Sequence, residues 1–289
     1  MQNVDIVKLK EEEFPKALLE IPQKPKELYL RGKLPPEDYV HLAVVGSRNC
    51  TAYGRDICEK LIRGLKGYPI VIVSGLALGI DSVAHKSALQ VGLITLAMPG
   101  SGIDPKVLYP KNNIDLADKI VASGGCILSE FPPLMKAELY TFPKRNRLMA
   151  GISRATLVIE ASEKSGTLIT ARLAMDYNRD VLVVPGSVFS NTSLGTNKLI
   201  KQGATPVTSS AELLDALGFQ VEENTQTEDE KYIDCSVDEK KILNLIGEGI
   251  ERDELLRSID MNTSDANALL SIMEIKEYIK EELGEIRKI

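Results

Sequence analysis

From His41 onward the chain alternates short, continuous apolar runs with stretches whose apolar residues recur at helical spacing. HLAVV (41–45) precedes a pattern from about Thr51 that puts Ile57, Leu61, Ile62 and Leu65 on one face. IVIV (70–73) precedes one bearing Ile80, Val83, Ala84 and Ala88. LITLAM (93–98), CILS (126–129), TLVIEA (156–161) and VLVVPG (181–186) repeat the arrangement, with helices expected near 112–122, 146–152, 166–178 and 194–202. A strand with one wet face alternates apolar and polar residues, whereas a continuous apolar run means that both faces are covered. Repeated strand–helix units of this kind predict an α/β fold built on a doubly wound, mainly parallel sheet.

After Phe219 the pattern changes. QVEENTQTEDEKYID is polar, acidic and nearly free of apolar residues, and reads as a linker over 219–236. Residues 237–289 then resemble three short helices and a two-strand wing, a small winged-helix domain. Its expected apolar faces are Ile242, Leu245 and Ile246, then Leu255, Leu256 and Ile259, then Leu269, Ile272 and Met273, with a Leu283-Gly284 turn between the wing strands. The chain thus divides into a lead-in (1–39), a main domain (40–218), the linker and the winged helix.

Length and composition agree with this division: 289 residues suffice for about two domains, and 44% hydrophobic with 26% charged residues is ordinary for a globular protein. No run approaches the roughly 18–20 apolar residues of a bilayer span, and the N-terminus has no apolar signal core, so no membrane association and a cytoplasmic location are expected. Cys50, Cys58, Cys126 and Cys235 form no CxxC pair, which argues against a zinc site or a disulfide framework. No metal or cofactor is expected. The net charge of −6 conceals an asymmetry: residues 40–218 carry 19 Lys+Arg against 14 Asp+Glu, while residues 219–289 carry 9 against 19. Only the main domain is electrostatically suited to an anion.

Doubly wound sheets bind ligands beyond the carboxyl ends of their strands. Here those ends run into GSRN (46–49), SGLALGID (74–81), PGSG (99–102), SEFPP (129–133), ASEKSGT (161–167) and PGSVFSNTS (185–193). Tight-turn chemistry explains any one of these loops. Gly46, Ser47 and Arg48 can also offer close backbone approach, a hydroxyl and a forked charge to phosphate oxygens. Ser165, Gly166 and Thr167 read equally as a simple N-cap or as a second phosphate cradle, and Ser74-Gly75 adds a third set of amides. Asp81 reads as a helix cap and His85 as structural. Neither GxGxxG nor a P-loop is present.

FPKRNRLMAGIS (142–153) places Lys144, Arg145 and Arg147 at the expected start of a helix, where the dipole disfavours cations. Bound phosphates would neutralise them, although surface decoration is an alternative. Phe142 is read either as a platform for a nucleic-acid base or as a core anchor.

GSRNCTAYG (46–54), SGLALGIDSVAH (74–85), FPKRNRLMAGIS (142–153), SGTLITA (165–171), VPGS (184–187) and SLGTNKLIKQGA (193–204) together resemble the DNA-processing protein A (DprA/Smf) family. With the lead-in FPKALLEIPQKPKELYLRG (14–32), the similarity runs from about residue 14 to 218. The resemblance implies an extended Rossmann-like domain that binds single-stranded DNA during natural transformation, forms a homodimer and loads a RecA-type recombinase. Carried over by position, it implies DNA contacts at Arg48, at Lys144, Arg145, Asn146 and Arg147, and at Ser165, Gly166 and Thr167. The N-terminal helical domain often present in that family is not expected here, while its C-terminal winged helix is.

Two other functions compete with that expectation. Phosphoribohydrolases of the lonely-guy type also place Gly-Thr at a helix start, but their motif continues to a catalytic glutamate, where Leu168-Ile169-Thr170 stands here. No other nucleophile–base pair or acidic dyad is evident, so no enzymatic activity is expected. A sequence-specific transcription factor is disfavoured by charge, because the third helix of the winged domain offers Asp265, Glu274 and Glu277 against Lys276.

Overall fold

The computed structural model describes residues 5–220, 235–247, 249–259, 261–276, 278–282 and 284–288. It forms two compact units, Met1–Val221 and Glu222–Ile289. Most of the expected acidic linker, residues 221–234, lies outside the described residues.

In the first unit seven parallel strands alternate with helices; six of them follow the order anticipated, and the two-residue β9 was not foreseen. The strands are β3 (Val40–Val45), β4 (Ile70–Ser74), β5 (Ile94–Ala97), β6 (Cys126–Ser129), β7 (Ala155–Val158), β8 (Asp180–Val183) and β9 (Thr205–Pro206). They lie in the order β6-β5-β4-β3-β7-β8-β9. The chain therefore winds outward from β3 to β6, returns to β7 on the other side of β3, and winds outward again. The reversal leaves a topological switch between β3 and β7, which pair in parallel from Leu42↔Ala155 to Val45↔Val158.

Both faces of the sheet are covered, as the continuous apolar runs require. Leu42, Val44, Ile70 and Ile72 pack on one side with α2 (Ala52–Arg63), α3 (Ile80–Gln90) and α8 (Ser210–Ala216). Their neighbours Val45, Val71 and Val73 pack on the other with α1 (Lys16–Leu19), α5 (Thr141–Ile152), α6 (Thr167–Asp176) and α7 (Leu194–Lys201). The remaining helix, α4 (Ile114–Ala122), closes a smaller cluster over Ala97 and Ile127. This alternation along single strands is the pleat expressed in packing.

Three features differ from the sequence pattern. The lead-in contributes β1 (Ile6–Lys8) and β2 (Tyr29–Gly32), which extend the sheet antiparallel beside β6. Helix α8 was not anticipated; it is only 7 residues long, so its period is barely expressed. Helix α5 begins at Thr141, about a turn before the expected 146. Pro143 then sits in the first turn, where its missing N–H costs no helical bond, and the cations fall inside the helix rather than at its mouth.

The second unit comprises α9 (Val237–Ile246), β10 (Ile250–Glu251), α10 (Arg252–Ser258), α11 (Thr263–Ile275), β11 (Ile279–Glu282) and β12 (Glu285–Lys288). The strands form an antiparallel sheet in the order β10-β12-β11, giving three helices with a wing. Ser236 and Glu239 form a reciprocal capping box at the start of α9. The core contains Ile242, Ile246, Leu255, Leu270 and Met273, whereas the expected Leu245 and Ile272 are exposed and Leu243 is buried in their stead. The Leu283 half of the expected wing turn lies outside the described residues.

Candidate functional site

The loops leaving β3 and β7 meet at the switch point, and a cleft of about 240 Å³ opens there. Gly46, Arg48, Phe142, Arg145, Asn146, Ser165, Gly166 and Thr167 line it, joined by Asp81, Ile169 and Thr170. Residues from four separate motifs thus converge on one cavity. Thr167 ties two of the loops together, its hydroxyl donating to the Gly46 carbonyl oxygen at 3.1 Å. Gly166 adopts right-handed helical angles at the start of α6, and a Cβ there would meet nothing within 4 Å. The fold itself does not need glycine at this position.

Arg48 and Phe142 form the mouth. The Arg48 guanidinium carbon lies 5.1 Å from the Phe142 ring centroid, and Tyr109 meets that ring edge-on at 6.0 Å. Phe142 is half-buried, its inner edge closing against Gly100. It is thus anchored on one side and borders the cleft on the other. Arg48 is exposed.

Behind them stands a buried polar layer that the sequence did not reveal. Asp81 accepts from the amides of Gly75 (3.0 Å) and Ala77 (3.4 Å), so its carboxylate organises the SGLALG loop as well as opening α3. Arg145, 5% exposed, donates to the carbonyl oxygens of Gly75 and Met98. Burial lowers the Arg145 pKa to about 10, with Asp81 opposing and Arg48 reinforcing that shift. Arg145 stays charged at neutral pH. Burial raises the Asp81 pKa against the pull of Arg145.

Several expected contacts are placed elsewhere. Ser74 is fully buried and donates to the Val44 carbonyl at 2.7 Å. Both backbone groups of Gly75 are engaged by Asp81 and Arg145. The Ser47 hydroxyl closes its own turn, donating to the Asn49 carbonyl at 2.9 Å and accepting from the Asn49 amide at 3.1 Å. Arg147 is buried against Glu130, and together with Lys144 it faces a different cleft. The expectation of unpaired cations at the mouth of α5 is thus corrected: Arg145 and Arg147 are mid-helix and hold carbonyls and a carboxylate, while Lys144 is exposed.

Glu160 is a residue that sequence reasoning missed. Only 2% exposed, it accepts from the Thr51 amide (3.0 Å), the Thr51 hydroxyl (2.5 Å) and the Thr192 hydroxyl (3.2 Å). It joins the start of α2, the exit of β7 and the 187–193 loop. Its only signal was a lone carboxylate ending the apolar run TLVIEA. Among the described residues no group of three or more His, Cys, Asp or Glu is arranged to hold a metal ion, and no helix is long and apolar enough to cross a membrane.

The family model for DNA recombination-mediator protein A matches residues 5–218. The chain belongs to this family. It is 43% identical over 206 residues to DNA processing protein DprA of Streptococcus pneumoniae, covering 71% of this chain and 72% of that one. It is 40% identical over 222 residues to protein Smf of Escherichia coli, covering 75% of this chain but 58% of the longer relative. A solved structure of DNA processing protein A from Helicobacter pylori, described for its single-stranded DNA binding mode, superposes with a TM-score of 0.65 at 31% identity over 74% of this chain and 96% of that one. The family match spans every motif of the switch-point cleft and ends before the winged helix.

Proposed function

We propose that this chain is a non-catalytic single-stranded DNA-binding protein that holds a strand in the switch-point cleft. The observation that carries the reading is the pairing of Arg48 with the half-buried Phe142 ring at the mouth of that cleft. A cation against an aromatic face offers one group for a phosphate and one for a base, the combination that single-strand binders use. The open backbone of the Ser165–Thr167 turn offers close approach alongside it, whereas glycine at position 46 is required by the packing of Ile80, which a Cβ would meet at 2.6 Å. The Helicobacter pylori relative's described binding of single-stranded DNA supports the same assignment. Such contacts follow the sugar–phosphate backbone and carry little base readout, so weak sequence preference completes the proposal. The family's description as a recombination mediator supports a role in recombination; passage of the strand to a RecA-type recombinase during transformation, by a homodimer, is the further part of the proposal.

The lonely-guy reading has weaker support. Asp81, the cleft's carboxylate, is committed to the Gly75 and Ala77 amides. The deciding experiment titrates the full chain against oligo-dT by fluorescence anisotropy over a range of salt. Three or four neutralised phosphates give a slope of log K against log[salt] of about −2 to −3. Absence of binding, or release of a free base from AMP, would overturn the proposal.

A further inference from the structure

Helix α5 has two working faces. Phe142, Arg145 and Asn146 look into the switch-point cleft, while Lys144 and Arg147, three apart on the other face, line a second cleft of about 470 Å³. Its far wall comes from the lead-in segment and includes Lys24, Lys26 and Glu27. Both carboxylates here are engaged, Glu130 through one oxygen only. Glu27 pairs with Lys8 at 2.5 Å and accepts from the Tyr29 hydroxyl at 3.0 Å, and Glu130 is held by Arg147. Lys24 lies 3.9 Å from Glu11 across an exposed surface, a contact of little strength. Among the described residues, Lys26 and Lys144 have no carboxylate within ion-pair distance.

The wall also holds an unsatisfied donor. Arg147 is 8% exposed, and its Nη1, like the Oε1 of Glu130, is buried without a hydrogen-bond partner. Lys144 and Arg145 are consecutive in the chain, so a strand leaving the first cleft over α5 meets the second next.

We propose that this second cleft is a phosphate subsite for the same nucleic-acid strand, in which Lys24 and Lys26 of the lead-in and Lys144 of α5 neutralise backbone phosphates that lie beyond the switch-point cleft. The proposal rests on the single-stranded DNA reading above. It assigns the lead-in a binding role, and it makes affinity depend on strand length.

The test compares an oligo-dT of about 5 nucleotides with one of about 20, bounding the usual site sizes. The full-length chain, its Lys24→Gln/Lys26→Gln variant and its Arg48→Ala variant are titrated in parallel. Both lysines are exposed surface residues, so the double variant folds as the parent does. For the long strand it should raise Kd about tenfold at low salt and flatten the salt slope by about 1.4, two contacts at 0.7 each. For the short strand Kd should stay within about twofold. An unchanged Kd and slope for the long strand, or equal losses for both strands, would overturn the subsite. Arg48→Ala distinguishes the underlying reading, because it should weaken both lengths. If it weakens neither, the switch-point assignment fails, whatever the lysines do.

Discussion

Arg145 donates from Nη1 to the carbonyl oxygen of Gly75 at 2.5 Å, and a Cβ on Gly75 would lie 2.1 Å from that same nitrogen. The two residues are 70 positions apart, in loop and helix, and a side chain at position 75 would have to displace the Arg145 guanidinium. This contact separates the two arginines of the site by role: Arg145 shapes the cleft from inside, and Arg48 faces outward from its mouth.

Arg145→Ala should therefore be a stability variant. It leaves the Gly75 and Met98 carbonyls without their donor and Asp81 without its nearest countercharge. Breaking a buried charged network in this way costs about 2–4 kcal/mol. Arg48→Ala removes only an exposed cation–ring contact and should shift stability by less than about 1 kcal/mol. Urea denaturation of both variants checks the contrast. DNA titrations then have a clean meaning for Arg48 alone, whose removal should lower the salt slope by about 0.7. Equal destabilisation by the two substitutions would refute this division of roles.

Gly166 offers a second variant that spares the fold. It sits at a right-handed φ of −59° with open space where a Cβ would go. Gly166→Ala should leave thermal stability unchanged or slightly raised, since alanine restricts the unfolded chain more than glycine does. If a phosphate approaches the backbone at Ser165–Thr167, the added methyl should weaken oligo-dT binding, and Gly166→Val should weaken it further. Wild-type affinity in both variants would remove this turn from the binding surface.

The sequence carried the fold well where the physics is local. Continuous apolar runs such as IVIV at 70–73 declared the parallel strands, and Thr51 declared its own helix, its side chain accepting from the Gly54 amide. That the 46–48 and 165–167 loops share one edge of the sheet followed once the strands were read as doubly wound; that β3 and β7 are neighbours there is seen only in the structure. The direction of individual side chains was not legible. KRNR reads as four surface residues, but three of them, Arg145, Asn146 and Arg147, are buried. Their partners are backbone carbonyls and Glu130, distant in sequence, and no periodicity encodes such contacts. In the winged domain Leu245 and Leu243 exchanged places because a ten-residue helix fixes its phase only through packing.

His85 gives a pH prediction with a defined sign. It is wholly buried, its Nδ1 lying 2.7 Å from the Thr95 hydroxyl, which itself donates to the Ile72 carbonyl. With that hydroxyl proton engaged, Nδ1 is the donor. Burial, reinforced by Arg145, lowers the His85 pKa to about 3 from 6.5. The folded state then resists protonation that the unfolded chain accepts. The associated stability is complete above pH 6.5 and is lost progressively as pH falls toward 3. Asp81 contributes with the opposite sign above pH 3.8, because its pKa is raised in the folded state. Unfolding free energy measured from pH 4 to 7 should rise with pH in the parent chain and rise less steeply in His85→Gln. Identical slopes would show that His85 is not the titrating group.

The last prediction concerns the winged helix. Residues 219–289 carry 9 Lys+Arg against 19 Asp+Glu, and a phosphate surface repels that charge over roughly a Debye length, about 8–10 Å at physiological salt. Its third helix, α11, is no better suited to DNA. Lys276, which caps that helix, is paired at 2.7 Å with the buried Glu239 and is therefore committed within the domain. Ile272 and Ile275, by contrast, project apolar surface from α11 at 46% and 82% exposure. An acidic surface with exposed isoleucines suits contact with a protein rather than with a nucleic acid. A chain truncated after Gly218 keeps every fully buried core residue of the first unit and loses only the half-buried Phe219, which packs edge-on against Tyr68, so its single-strand affinity should hold or rise, most visibly at low salt. A large loss of affinity, in a truncated chain that melts as the first unit should and keeps its oligomeric state, would instead place part of the DNA site on the winged helix.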